Sequence, residues 1–420
     1  MVGERPVSNG EGSFLSTAQA ARRLGVKEET VYAYVSRGLL RSTRVPGVRG
    51  SLFPVGEVEA LVSRDGTRRA VSGAVERIRT SITLQEKGSL YYRGRDATEL
   101  AALPFEQVAQ WLWTSELSGP MAFAAVPDVV RRAAEATRLL PDDARLIVCI
   151  RLIVDVAGAC DPLRFDLTPR SVTRSSAALL GTLAAAVAEG LGISAPGEDG
   201  RLAERLWPSL RPGKTAAADP AQVELLNSAL VLLADHDLAV STLAARVAAS
   251  ARADLYAVLS AGLGAIDGPF HGGATSRAFR FMTEALASPA DALGVRFRDG
   301  VAVPGFGHLL YAGPDPRADY LLDRLRRLDD PAAQRATAAA DLVIDQLAER
   351  QDLHPNTDFA LAVLGHGLGL RPDAGEAIFA IARMAGWTAH ALEEYQEPEL
   401  RFRVPGVYVG SRPGPVSRPD

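Results

Sequence analysis

Apolar positions recur at helical spacing over most of this chain. ELAALPFEQVAQWLW (99–113), VPDVVRRAAEATRLL (126–140) and EAIFAIARMAGWTAHALEEY (376–395) repeat apolar residues every three or four positions. That stripe lets an amphipathic helix bury one face. A longer pattern from Val223 to Ile266 reads as extended apolar helix with His236 on it. The run Ala177–Ile193 is rich in alanine and leucine, interrupted by Glu189 and glycines, and predicts a buried helix rather than a membrane span. Strand signals are few. Ile82–Tyr92, with Gly88 near its middle, predicts a short hairpin. The predicted fold class is mainly α.

The first segment follows a different rhythm. Ser16-Thr17-Ala18-Gln19 has the form of a capping box with Leu15 before it. It predicts a helix to Leu24 stopped at Gly25, then a second helix from Lys27 to Ser36 that buries Val31, Tyr34 and Val35. Gly38 ends that helix, and a Gly/Pro-rich loop bearing Arg41, Arg44 and Arg49 leads to a further helix over Val55–Val62. Two short helices and a basic loop have the layout of a winged helix-turn-helix. The stretch AARRLGVKEETVYAYVSRGLLRSTR resembles DNA-binding domains of the MerR and excisionase kind. On this reading residues 13–64 form a small domain and residues 65–73 a linker. Lys27, Thr30, Arg37, Arg41, Arg44 and Arg49 are its candidate contacts to duplex DNA.

Charge supports the division. Residues 1–70 hold eleven Lys/Arg against seven Asp/Glu, a net +4, in a chain whose total is −4. A basic module on an acidic body fits local rather than general nucleic-acid binding. Glu28 and Glu29 work against it, because they open the helix that would face phosphates. The 420 residues exceed one simple core, and 47% apolar with 23% charged is ordinary globular composition. Cys149 and Cys160 lie in an apolar stretch without His or Cys at ligand spacing, so reduced thiols in a cytoplasmic protein are expected, with no metal. The polar start, Met1–Gly12, has no apolar signal core.

The chemistry concentrates late in the chain. Gly268-Pro269-Phe270-His271-Gly272-Gly273, Pro304-Gly305-Phe306-Gly307-His308 and Pro355-Asn356-Thr357-Asp358-Phe359 each set one titratable side chain beside turn formers. Two imidazoles and a carboxylate can abstract a proton and polarise carbonyls. With LADHDLAVSTLAARVAAS, DPRA and IFAIARMAGWTAHALEEYQEPELRFRVPGVYVG in the same order, these segments resemble the citrate synthase family over about residues 74–410.

The resemblance implies a two-domain helical fold over 74–412, with a large domain of about 74–274 and 384–412 and a small one of about 275–383. It implies an acyltransferase that joins acetyl-CoA to oxaloacetate through an enol or enolate, then hydrolyses the thioester. Asp358 would be the base, His271 the donor to the thioester oxygen, and His308 the group polarising the 2-oxo acid. His236, Arg317 and Arg383 would hold that acid's carboxylates, with Arg403 reaching into the neighbouring subunit of a homodimer. No cofactor is implied, since CoA enters and leaves as substrate and product. Asn356 or Asp358 would also suit a helix cap.

Several neighbours depart from the family wording: Ala239 where asparagine is usual, Thr275-Ser276 after His-Gly-Gly-Ala, His354 before Pro-Asn, and Leu309 and Ala312 where cations are frequent. They leave two alternatives open: a 2-methylcitrate synthase using propionyl-CoA, or a DNA-binding regulator that senses an acyl-CoA or 2-oxo acid. Two further glycine-rich stretches carry little. Pro208 spoils a phosphate loop before Gly213-Lys214-Thr215, and Gly365–Gly369 is expected to be a helix–helix turn.

Overall fold

The computed structural model describes residues 7–9, 12–24, 26–36, 39–43, 51–54, 57–58, 78–117, 119, 121–194, 197, 200–211, 213, 219–308, 310–311, 313–348, 353–403 and 410. The chain divides into two compact units, residues 80–403 and residues 1–79 with 404–420.

In the N-terminal unit, Thr17–Leu24 and Glu28–Ser36 are the two helices of the motif. The capping box forms as its residues dictate: Gln19 Oε1 accepts from Ser16 N–H at 2.8 Å, and Ser16 Oγ accepts from Gln19 N–H at 3.3 Å. Ala20, Ala21, Leu24, Val31, Leu40, Phe53 and Val58 form the core, with Leu15, Tyr34 and Val35 packed on it. The strands were not foreseen. Val7–Asn9, Gly12–Ser16 and Leu52–Pro54 build an antiparallel sheet in that order, and Thr43 bridges Leu52 at the foot of the basic loop. Only Glu57 and Val58 of the third helix are among the described residues.

The larger unit is helical apart from one small sheet. Thr83–Glu86 and Ser89–Tyr92 pair as the expected hairpin, extended by Arg95–Asp96. Lys87 and Gly88 turn it with φ of 52° and 80°, the two left-handed residues that suit tight hairpins. Pro169–Gly190 is the one described helix long and apolar enough to cross a membrane, and most of it is buried in the core. Cys149 is buried, Cys160 half-buried, and both are free thiols.

Two expectations need correction. The apolar pattern from Val223 to Ile266 is three helices, Pro220–Leu233, Val240–Ser250 and Leu255–Ile266. His236 therefore sits in a break, not on a helix, and Asp237 there has φ 55°. The break is held by tertiary bonds: Tyr92 Oη donates toward the carbonyls of Val231, Leu232 and Asp235 at 3.0–3.1 Å, and Gly386 N–H donates to Ala234 O at 3.0 Å. These satisfy carbonyls that a helix end leaves open. A Cβ on Gly386 would meet Ala234 O at 2.4 Å, so glycine is what lets helix Ala374–Glu394 approach the break. Secondly, Gly365 and Gly367 are inside helix Thr357–Leu368, and only Gly369 turns, with φ 65°. A Cβ on Gly365 would touch the Phe279 ring at 3.0 Å, so that glycine serves close helix packing. Pro208 lies within helix Leu202–Leu210, which excludes a phosphate loop at that point.

Candidate active site

Each of the three turns is built by its small residues. Gly272 N–H donates to Ile266 O at 2.8 Å and His271 N–H to Gly268 O at 3.0 Å, placing His271 two residues before helix Gly273–Ala287. Gly305 and Gly307 have φ of 83° and 82°, open to glycine at no steric cost. A Cβ on Gly305 would meet Phe359 Cβ at 2.7 Å. The His308 turn is also tied to the Asp358 turn. Gly307 N–H donates to His354 O at 2.8 Å, Asn356 N–H to Gly305 O at 2.9 Å, and Asn356 Nδ2 to Gly307 O at 2.9 Å. Asn356 Oδ1 in turn accepts from Asp358 N–H at 2.9 Å and Phe359 N–H at 3.4 Å. Asn356 is thus the cap, and Asp358 keeps its carboxylate free of that duty.

The side chains converge. The His236 and His308 rings lie 5.2 Å apart, with Tyr311 4.7 Å from His308. His236 Nε2 is 2.9 Å from Gln85 Nε2 and 3.0 Å from Tyr311 Oη. His308 Nδ1 accepts from the N–H groups of Leu310 and Tyr311 at 3.0 and 3.3 Å, so its proton sits on Nε2, which remains a donor. His271 Nε2 is 2.7 Å from Ser241 Oγ, and its ring meets Phe379 at 5.6 Å. Phe379 also underlies Arg383, at 4.7 Å.

The electrostatics favour neutral imidazoles and a basic carboxylate. Burial, reinforced by Arg383, pushes His271 down to about 4. Burial and the nearby guanidiniums also depress His236 and His308 below the usual imidazole range. Asp358 is raised to about 7, chiefly by burial and partly by Asp315, against the pull of Arg317 and Arg277. Its position in the first turn of a helix would favour the ionised form, but desolvation outweighs it.

The arginines differ from one another. Arg317 is buried and makes a bidentate pair with Asp315, Nε to Oδ1 at 3.0 Å and Nη2 to Oδ2 at 2.8 Å. One edge of its fork is thus already engaged, a pairing the sequence reading did not include. Arg383 is 1% exposed, donates through Nε to Leu233 O at 2.9 Å, and has Nη1 and Nη2 buried without a partner. Burial and the Arg317 charge lower its pKa to about 10. Arg403 is exposed, at the end of its unit.

Beneath the site runs a buried polar chain. Asp235 bonds Thr83 Oγ1 and faces His390 Nε2 at 3.3 Å; His390 Nδ1 is 2.8 Å from Arg246 Nη1; Arg246 Nε donates to Glu394 Oε2 at 2.9 Å. Sequence reasoning missed Ser241, Gln85 and this chain, which act through partners remote in sequence; it also missed Tyr311, whose hydroxyl meets the distant His236, and Asp315, whose partner Arg317 is only two residues on. Of the remaining histidines, His366 stacks on Phe279 at 4.0 Å and His354 is exposed. Ala239 stands at the N-cap of helix Val240–Ser250, where alanine offers no side-chain bond to the helix end. Leu309 and Ala312 lie outside the described residues. Among the described residues, no three His, Cys, Asp or Glu side chains are grouped to hold a metal.

Of the candidate DNA contacts, Lys27 is exposed and Thr30 half-buried, while Arg37, Arg44 and Arg49 fall outside the described residues. Arg41 is held by Glu57, with Arg41 Nε 2.6 Å from Oε1. That pairing leaves it a weaker partner for phosphate than its sequence position suggests. Glu28 and Glu29 are exposed beside Lys27.

Comparison with known proteins places both units. The family "Citrate synthase, C-terminal domain" matches residues 73–403, and "Helix-turn-helix domain" matches residues 14–65. Citrate synthase 2 of Bacillus subtilis is 30% identical over 342 residues, 77% of this chain and 90% of that protein. 2-Methylcitrate synthase 2 of Corynebacterium glutamicum is 30% identical over 340 residues, 76% of this chain and 88% of its own length. The crystal structure of citrate synthase from Thermotoga maritima superposes with a TM-score of 0.63 at 27% identity, covering 83% of this chain and 99% of that one. With the His308 and Asp358 turns bonded to each other, His236 against His308, and the family match spanning residues 73–403, the chain belongs to the citrate synthase family and carries a helix-turn-helix domain ahead of that fold.

Proposed function

We propose that the chain condenses acetyl-CoA with oxaloacetate, giving citrate and CoA. The observation that carries this reading is Arg383: two buried guanidinium nitrogens, Nη1 and Nη2, without a protein partner, beside neutral histidines and a carboxylate of raised basicity. A buried guanidinium edge left open is costly unless an anion completes it.

Asp358 takes a proton from the methyl group next to the thioester. His271 donates to the thioester oxygen as charge develops there, with Ser241 holding the opposite ring nitrogen. His308 donates from Nε2 to the ketone oxygen, and the enol carbon attacks the ketone carbon. Arg383, the open edge of Arg317 and His236 hold the carboxylates. Hydrolysis of the resulting thioester makes the overall step irreversible. The proposed larger and smaller domains close over the substrates, and Arg403 completes the site across a homodimer. A single preorganised donor contributes about 3–4 kcal/mol at such a transition state.

Thiol release on mixing the protein with oxaloacetate and either acetyl-CoA or propionyl-CoA tests the reading. No release with either thioester overturns it. Faster release with propionyl-CoA would favour the 2-methylcitrate reading; the equal identities to the Bacillus and Corynebacterium proteins do not choose between it and the first. Tight ligand binding without release would favour the sensing regulator. Ser241→Ala is expected to lower kcat about tenfold or more with little change in KM for oxaloacetate, because the His271 ring loses the bond that fixes its tautomer. An unchanged kcat would reject that role.

The N-terminal domain is proposed to bind duplex DNA. A gel shift that weakens steeply with salt and disappears on deletion of residues 1–70 is the expected result. A shift that survives the deletion would reject it.

A further inference from the structure

Arg277 is a cation that the mechanism above does not use. It lies one turn into helix Gly273–Ala287, which starts two residues after His271 and packs along helix Thr357–Leu368, whose first turn holds Asp358. Its guanidinium stands over the Phe270 ring, 5.4 Å from the centroid, and no carboxylate pairs with it among the described residues. Phe270 is 91% exposed. Arg277 also pulls the Asp358 carboxylate downward, which places its charge within electrostatic reach of the base.

We propose that Arg277, stacked on Phe270, binds the phosphates of the acyl-CoA substrate. The inference rests on the acyl-CoA reading above. A thioester whose methyl group meets Asp358 must extend out of the buried cluster, and the exposed Phe270 marks an open side of the His271 turn. The nucleotide end of CoA carries phosphates and a flat base. A guanidinium with no carboxylate paired to it among the described residues is a fork for the first, and an exposed aromatic face is a platform for the second. Leu309 and Ala312, on the other histidine turn, carry no charge. Arg277 supplies a cation beside the His271 turn.

The test is calorimetric titration of wild type, Arg277→Ala, Arg277→Lys and Phe270→Ala with CoA and with phosphate-free pantetheine. Arg277→Ala is expected to weaken CoA binding by about 10- to 100-fold, the range of a charge-assisted contact. Pantetheine and oxaloacetate binding should stay unchanged, Arg277→Lys should restore part of the loss, and Phe270→Ala should weaken CoA severalfold. Equal CoA binding by wild type and Arg277→Ala overturns the proposal. So does an equal loss with pantetheine, which would confine Arg277 to adjusting Asp358. Wild type that binds CoA through Arg277 but releases no thiol with either thioester would overturn the catalytic reading and leave this one standing.

Discussion

Asp358→Asn is expected to lower kcat by about 10²- to 10⁴-fold, the usual contribution of a positioned general base, with oxaloacetate binding nearly intact. In the wild type, kcat/KM should fall about tenfold per pH unit below about 7, because Asp358, raised to about 7 by burial, loses its basic form there. The same shift has a stability consequence. A carboxyl group whose folded pKa lies above its unfolded one, near 3.9, costs stability fully above pH 7 and progressively less as pH falls toward 4. Asp358→Asn should therefore melt higher than wild type at pH 8, and the difference should shrink at pH 4–5. Turnover that survives the substitution, or a rate flat from pH 8 to 5, would remove Asp358 from the role of base.

The second large effect concerns Arg383. Arg383→Met should raise KM for oxaloacetate about 100-fold or more, since two charge-assisted bonds are lost. It should nonetheless melt at or above the wild-type temperature without ligand, because a buried cation with two unsatisfied NH2 groups is replaced by apolar volume. Saturating oxaloacetate stabilises a binding-competent protein by about 2.7 kcal/mol at one hundred times Kd. That shift should appear in wild type and vanish in Arg383→Met. A variant that melts far lower would mean that Arg383 is a structural linchpin; one that keeps its oxaloacetate response would mean that the carboxylates sit elsewhere. Arg317 differs, because Asp315 already occupies one edge of its fork. Its removal would leave a buried carboxylate unpaired, so loss of stability should accompany loss of binding.

Much of this protein is legible along the chain because its local chemistry is strong. The Ser16–Gln19 box, the helical stripe of residues 376–395 and the Lys87-Gly88 turn are decided by bonds within a few residues of one another. The His271 turn is equally local, closed by bonds to Gly268 and Ile266, whereas the His308 and Asp358 turns combine local glycine, proline and asparagine preferences with bonds to each other, as from Asn356 to Gly307, 49 positions apart. Those features determined the helical class, the two units and the identity of the central titratable residues. The tertiary structure decided what these residues can do. Only packing breaks the apolar pattern at His236, through Tyr92 and Gly386, and only packing brings Ser241 to His271, Gln85 to His236 and Asp235 to His390, partners 30 to 155 positions apart. Burial, likewise a property of the folded whole, moves Asp358 upward and leaves Nη1 and Nη2 of Arg383 without a protein partner. Backbone preference acts over a turn or two and can be read in order, whereas desolvation and charge act through space, among groups that the chain itself never places side by side.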